Sequence, residues 1–165
     1  MEGAAAKGRG DQTDLQTPRR FLQGQEPRRR RGRHGAGRSR EAVMNRKKWL
    51  TCERCVLHET RRKVVLGRGD LPCDLLFVGE APGKVEDLQG RPFIGPSGKL
   101  LDYMMECAAR ESETPVPTFY ITNCCACRPT DSLGGPNMQP TEEQMFACQE
   151  RLIEEANAAR PLRVV

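Results

Sequence analysis

Residues 73–110 read CDLLFVGEAPGKVEDLQGRPFIGPSGKLLDYMMECAAR: an apolar run, then five glycines, then an amphipathic stretch. Leu75 to Val78 make a short buried strand that stops at Gly79. Leu100, Leu101, Met104, Met105 and Ala108 recur at helical spacing, which predicts a helix over 96–110, with Ser97 placed to cap it. Further on, TFYITN (118–123) reads as a second strand and LRVV (162–165) as the start of a third. Between them lies PTEEQMFACQERLIEEANAAR (140–160). Thr141 and Gln144 form a capping box there, and Met145, Cys148, Leu152 and Ala156 form a stripe on one side.

Strand, helix, strand, helix, strand is the order of a parallel sheet covered by helices. The expected fold is therefore α/β, a three-layer α/β/α arrangement around a short parallel central sheet. The third strand of such a sheet is usually interior, and its open side would leave backbone groups unpaired. A fold truncated at the C-terminus is the expectation.

The 165 residues suffice for one domain of ordinary size. They contain no apolar run near the ~20 residues that a membrane span needs, and no apolar segment of signal-peptide type follows the first basic residues. Eight cysteines without a secretory signal point to a reducing compartment and metal binding rather than disulfides. A cytoplasmic protein without membrane contact is expected.

Charge is distributed unevenly. Residues 1–48 hold 14 Lys and Arg against 5 Asp and Glu, a balance of +9, and the remaining 117 residues hold 13 against 17, or −4. Residues 1–43, with EPRRRRGRHGAGRSR at 26–40, are too charged and too poor in apolar side chains to pack a core. They read as a disordered basic arm, either a polyelectrolyte that holds nucleic-acid phosphates or upstream translation before a natural start at Met44. The folded domain is expected over 44–165.

CERC (52–55) is a CxxC pair, and Cys127 and Cys148 would complete a four-thiolate site that ties distant segments together. Cys124 and Cys125 compete with Cys127 for that role, while Cys73 and Cys107 read as ordinary small residues. Four cysteines suit zinc or an iron–sulfur cluster equally well. In VGEAPGKVEDLQGRPFIGPSG (78–98), the glycines allow close approach of a ligand, and Glu80, Glu86 and Asp87 put carboxylates at the end of the first strand. The segment has neither GxxxxGK[ST] nor GxGxxG, so a nucleotide-phosphate loop is disfavoured.

In chain order, CERC, GEAPGKVED, GRPFIGPSGKLLD, YITN, CRP and Cys148 resemble the iron–sulfur (family 4) uracil-DNA glycosylases over about residues 49–165. The resemblance implies a [4Fe–4S] cluster held by Cys52, Cys55, Cys127 and Cys148, with zinc as the alternative. It implies uracil-containing DNA as partner, a monomer, and hydrolysis of the N-glycosidic bond in base-excision repair. Phe93 would stack on a base turned out of the helix. Asn123 would read the uracil edge, accepting from N3–H and donating to O4, and so reject cytosine. Glu80 would stabilise the cationic sugar, with Asn123 as its partner in catalysis. Ala81 would bring backbone amides to the uracil O2, Glu86 would form a wall against the 5-methyl of thymine, and Ser97 and Lys99 would meet a DNA phosphate.

One departure stands out. The family's second catalytic motif, a histidine loop near HPS, has no counterpart, because the two histidines are His34 and His58. The expectation is an inactive or nearly inactive chain. The alternative is a non-catalytic iron–sulfur module that binds nucleic acid, and a third reading is a structural zinc protein outside repair.

Overall fold

The capping box at Thr141 forms as the sequence predicts. Gln144 N–H donates to Thr141 Oγ1 and Thr141 N–H to Gln144 Oε1, at 3.3 and 3.1 Å. It starts the longest helix in a computed structural model that describes residues 44–165. The basic arm expected over 1–43 lies outside the described residues.

In chain order the described elements are α1 (Arg46–Leu50), α2 (Leu57–Thr60), β1 (Arg68–Gly69), β2 (Leu75–Gly79), α3 (Lys84–Gln89), α4 (Pro96–Glu111), β3 (Phe119–Asn123), α5 (Glu142–Ala159) and β4 (Arg163–Val164). The strands form one sheet in the order β1-β3-β2-β4. β2 runs parallel to β3, from Leu75 opposite Phe119 to Gly79 opposite Asn123, and parallel to β4. β1 pairs antiparallel with β3, so the sheet is mixed where a purely parallel one was expected. Two residues are too few to leave a periodic signal.

Side chains alternate across the strands, and the alternation sorts the layers. Leu76 and Tyr120 point to one face and join Cys73 and Ala159 in a buried cluster beneath α5. Phe77 and Phe119 meet edge-to-face on the opposite side, the side on which Gly79 approaches the Phe93 ring between α3 and α4. Helical segments therefore cover both faces of the sheet. A second buried cluster, of Met44, Trp49, Leu57, Val64, Leu66, Ala126 and Cys127, fastens the N-terminal segment to the loop after β3.

Three expectations about the helices need correcting. Ser97 does not cap α4. Gly95 is the N-cap residue, Pro96 opens the helix, and the Gly95 amide is taken by Glu86 Oε1 at 2.7 Å, consistent with the preference of proline for a first helical turn. The apolar stripe of α4 is only half covered, since Leu101 and Met105 are partly buried while Leu100, Met104 and Ala108 are exposed. On α5, Met145 is exposed, and the buried positions are Cys148, Arg151, Glu155 and Ala159.

Candidate base pocket and thiol cleft

β2 and β3 end side by side, and their pairing continues one step beyond the strands. Cys124 N–H donates to Gly79 O at 2.7 Å and Cys125 N–H to Glu80 O at 2.9 Å. Parallel strands present their C-terminal ends to ligands in open α/β sheets. Here a cleft of about 430 Å³ opens at those ends, lined by Glu80, Ala81, Glu86, Phe93, Ser97 and Asn123 among others. All the expected base-site residues except Lys99 thus line one cleft. Lys99 lies on α4, exposed and one turn further on.

Gly79 explains how Phe93 and Asn123 come together. A Cβ there would lie 2.5 Å from Asn123 Oδ1 and 2.6 Å from Phe93 Cζ. Both side chains therefore occupy the space that any larger residue would fill. Asn123 is buried, at 2% exposure, yet its side-chain amide has no hydrogen-bond partner among the described residues. The amide is not sealed from solvent, since Arg151 Nε is the one fully buried side-chain polar atom left without a partner among the described residues. Its place on the cleft wall leaves that amide for an incoming molecule.

Glu86 has a role beyond forming a wall. Its Oε1 accepts from Ile94 N–H at 3.0 Å and Gly95 N–H at 2.7 Å, which fixes the turn that follows Phe93. Phe93 itself has φ 52°, a left-handed conformation uncommon for an aromatic residue. Asp87, grouped with these carboxylates in the sequence, turns away and is buried, with Oδ1 accepting from the amides of Arg62 and Lys63. Glu80 is exposed at the mouth of the cleft. Asn137, from the loop before α5, also lines it, held by Arg128 Nε donating to Asn137 Oδ1 at 2.6 Å. Nothing in the local pattern GGPN marked that residue as part of a site.

A second cleft lies under the loop after β3. Cys52, Cys55, Cys127 and Cys148 line it, and Cys124 and Cys125 do not. The four thiols come from the α1–α2 turn, the loop and α5, with Trp49, Val64, Ala126 and Ala147 as apolar walls. Arg61 Nη1 donates to Cys127 Sγ at 3.4 Å. Burial still pushes the Cys127 thiol up to about 11, with the Arg61 hydrogen bond opposing it. A hydrogen bond from Cys125, chiefly, holds Cys148 down at about 6.

The donor set is that of a thiolate-bound core. Among the described residues no three His, Cys, Asp or Glu side chains converge to hold one metal ion. The space between the thiols is narrow, about 10 Å³.

A cleft at the ends of parallel strands, where Asn123 and the Phe93 ring meet over Gly79, together with a four-thiol cleft at the loop after β3, marks a class of α/β protein. Comparison with known families names it further. Residues 66–165 match the model of the uracil DNA glycosylase superfamily, and the chain belongs to that superfamily. It is similar to the type-4 uracil-DNA glycosylase of Archaeoglobus fulgidus, with 39% identity over 116 residues covering 70% of this chain and 54% of the relative. The type-4 uracil-DNA glycosylase of Thermotoga maritima is 39% identical over 110 residues, covering 67% of this chain and 53% of the relative. That of Pyrobaculum aerophilum is 35% identical over 115 residues, 69% of this chain and 54% of the relative. The chain spans about half the length of the curated relatives it matches.

Proposed function

We propose that the cleft at the ends of β2 and β3 receives a uracil turned out of DNA, and that the protein acts as a type-4 uracil-DNA glycosylase in base-excision repair. The observation that carries this reading is the meeting of Asn123 and Phe93 over Gly79. Phe93 supplies a π face and Asn123 a donor–acceptor pair. Uracil offers N3–H to Asn123 Oδ1 and O4 to its NH₂. Cytosine reverses both polarities and would leave two buried groups unpaired, the kind of mismatch that gives large discrimination. Glu86 forms the wall near the 5-position, and backbone amides near Ala81 face O2.

Hydrolysis of the N-glycosidic bond develops positive charge on the sugar and negative charge on the departing base. Glu80, at the mouth of the cleft, stabilises the sugar and orients water, while Asn123 holds the base as its charge grows. Ser97 and Lys99 lie at the start of α4, on the side from which the DNA backbone arrives. Cys52, Cys55, Cys127 and Cys148 would hold a [4Fe–4S] cluster that fastens the loop after β3 to the N-terminal segment. No described helix is long and apolar enough to cross a membrane, and the reading extends to a monomer working in the cytoplasm.

A specific observation favours a second reading. His58, the one histidine among the described residues, lies in α2 with Nδ1 at 2.8 Å from Cys55 O and outside the lining of the cleft. A non-catalytic module that binds uracil-containing nucleic acid would have this composition. One experiment tests both readings. Protein purified without oxygen is titrated with matched single-stranded oligonucleotides carrying one uracil, thymine or cytosine, and abasic-site formation is followed by alkaline cleavage. Preferential uracil binding with excision supports the glycosylase, and preferential binding alone supports the module. Equal affinity for all three, unchanged in Asn123→Ala, sinks both.

A further inference from the structure

The two walls of the cleft are gripped from behind by arginines that do not line it. Arg151, on α5, is 1% exposed, and its partner Glu155 is 0% exposed. Arg151 Nη2 donates to Asn123 O at 2.7 Å and to Cys124 O at 2.6 Å, where β3 leaves the sheet. Its Nη1 donates to Thr122 Oγ1 and Glu155 Oε2, at 2.9 and 2.8 Å. On the other wall, Arg68 Nε donates to Pro92 O at 2.9 Å and Nη2 to Phe93 O at 3.1 Å. Asp102 Oδ1 lies 3.8 Å from that guanidinium. Each arginine thus holds two successive carbonyls, one pair ending at the residue that stacks and the other starting at the residue that reads the base edge.

The two grips are joined. Glu155 Oε1 accepts from Gly67 N–H at 2.8 Å, and Gly67 is the residue before Arg68. Glu155 also accepts from Thr122 Oγ1, and from Tyr120 O–H at 3.4 Å. β1, which carries Arg68, pairs with β3 through Arg68 opposite Ile121. A path therefore runs from the Asn123 carbonyl by polar contacts through Arg151 and Glu155 to Gly67, and by the covalent chain to Arg68, which holds the Phe93 carbonyl. Buried ion pairs rarely add stability over an apolar replacement, and a register role is their best-attested use. Phe93 needs such a hold, because a non-glycine residue in a left-handed conformation persists only where its surroundings over-determine it.

We propose that Arg68, Arg151 and Glu155 are positioning residues that set the spacing and orientation of Phe93 and Asn123 as one unit, so that a change at one wall is felt at the other. The proposal deepens the uracil-pocket reading and rests on it for its consequence in binding. Its structural content is tested without any ligand. In the purified 165-residue chain, amide hydrogen exchange is compared between wild type and Arg68→Gln, a variant at a partly exposed site. The expected result is exchange about tenfold faster, roughly a 1.4 kcal/mol loss of local protection, at Ile94 and Gly95 and also across the cleft at Cys124 and Cys125. The β2–β3 ladder amides of Phe77 and Tyr120 should hold their wild-type rates. Arg68→Lys, which keeps the charge but loses the planar fork, should restore part of the protection, and it replaces Arg68→Gln as the test should the latter fail to fold.

Acceleration confined to Ile94 and Gly95 would overturn the coupling. Acceleration spread evenly over the ladder would overturn the positioning role in favour of plain stability. Uracil-over-thymine affinity of the same proteins is the second readout, and it should fall in step with exchange at Cys124 and Cys125. Wild-type protein with no uracil preference would defeat the proposed function while leaving the exchange result to decide the coupling.

Discussion

Gly79→Ala is the sharpest perturbation of the base pocket. The backbone at Gly79 lies outside the left-handed region, so alanine brings no dihedral strain and its effect is purely steric. Its Cβ would sit 2.5 Å from Asn123 Oδ1, where ordinary contact begins near 3.4 Å, so the amide must withdraw by about 0.9 Å. The Phe93 ring must retreat by a similar distance, from 2.6 Å. Both side chains border open cleft and can yield into it. The stability cost should therefore fall at the low end of overpacking, about 1 kcal/mol, a melting-point loss of about 4 °C for a domain of this size. Uracil affinity should suffer more, because both contacts to the base are displaced at once, and a loss of about tenfold is expected, the worth of about 1.4 kcal/mol. The assay pairs uracil-oligonucleotide affinity with a thermal melt of the same samples. Wild-type affinity in Gly79→Ala would refute the idea that Phe93 and Asn123 contact the base together. A melting-point loss of roughly the size expected for a lost core residue, with affinity falling in parallel, would refute the claim that the damage is local.

Other outcomes follow from the same geometry. Phe93→Ala should weaken uracil-oligonucleotide binding by about 5- to 150-fold, the worth of about 1–3 kcal/mol for one base stacked on an aromatic ring, as read by titration. Cys127→Ser, purified without oxygen, should lose most of its iron and acid-labile sulfide. Cys124→Ser should keep both, because Cys124 stands outside the thiol cleft, and metal analysis separates the two. Glu154 accepts from Trp49 Nε1–H at 2.7 Å, and that bond, with help from Lys48, holds its carboxyl below the ordinary 4.5. A depressed folded-state value stabilises above 4.5 and loses that stabilisation as pH falls through it. Melting curves of Glu154→Gln should therefore lie below wild type at neutral pH and converge with it in acid.

β2 and β3 were legible because they bury apolar side chains in short runs that end at Gly79 and Asn123, whereas β1 and the spatial order of the strands were not. α5 was legible as well, since a capping box is a local device that tertiary contacts have little reason to override. The pocket residues were legible only as a constellation, because Asn123 or Gly79 alone reads as a turn. Arg151 and Glu155 escaped notice for a physical reason. Periodicity assigns charges to the solvent side, and these two point inward because carbonyls leaving the end of β3 need a donor that no strand supplies. Ser97 was mistaken for a cap because a serine near a helix start usually is one. Glu86 already takes the Gly95 amide from across the turn. The α4 stripe showed an apolar face correctly but could not show what covers it, and among the described residues Leu100 and Met104 stay open.

Cys148 and Arg151 are three residues apart on α5, one at the thiol cleft and the other at the end of β3. Residues at that spacing share a helix face, so one stretch of α5 serves both clefts. A displacement of α5 at Cys148 would therefore also reach the hydrogen bonds by which Arg151 holds the carbonyls of Asn123 and Cys124. A group bound among the four thiols would be felt at the Asn123 wall, two clefts drawn on by one helix.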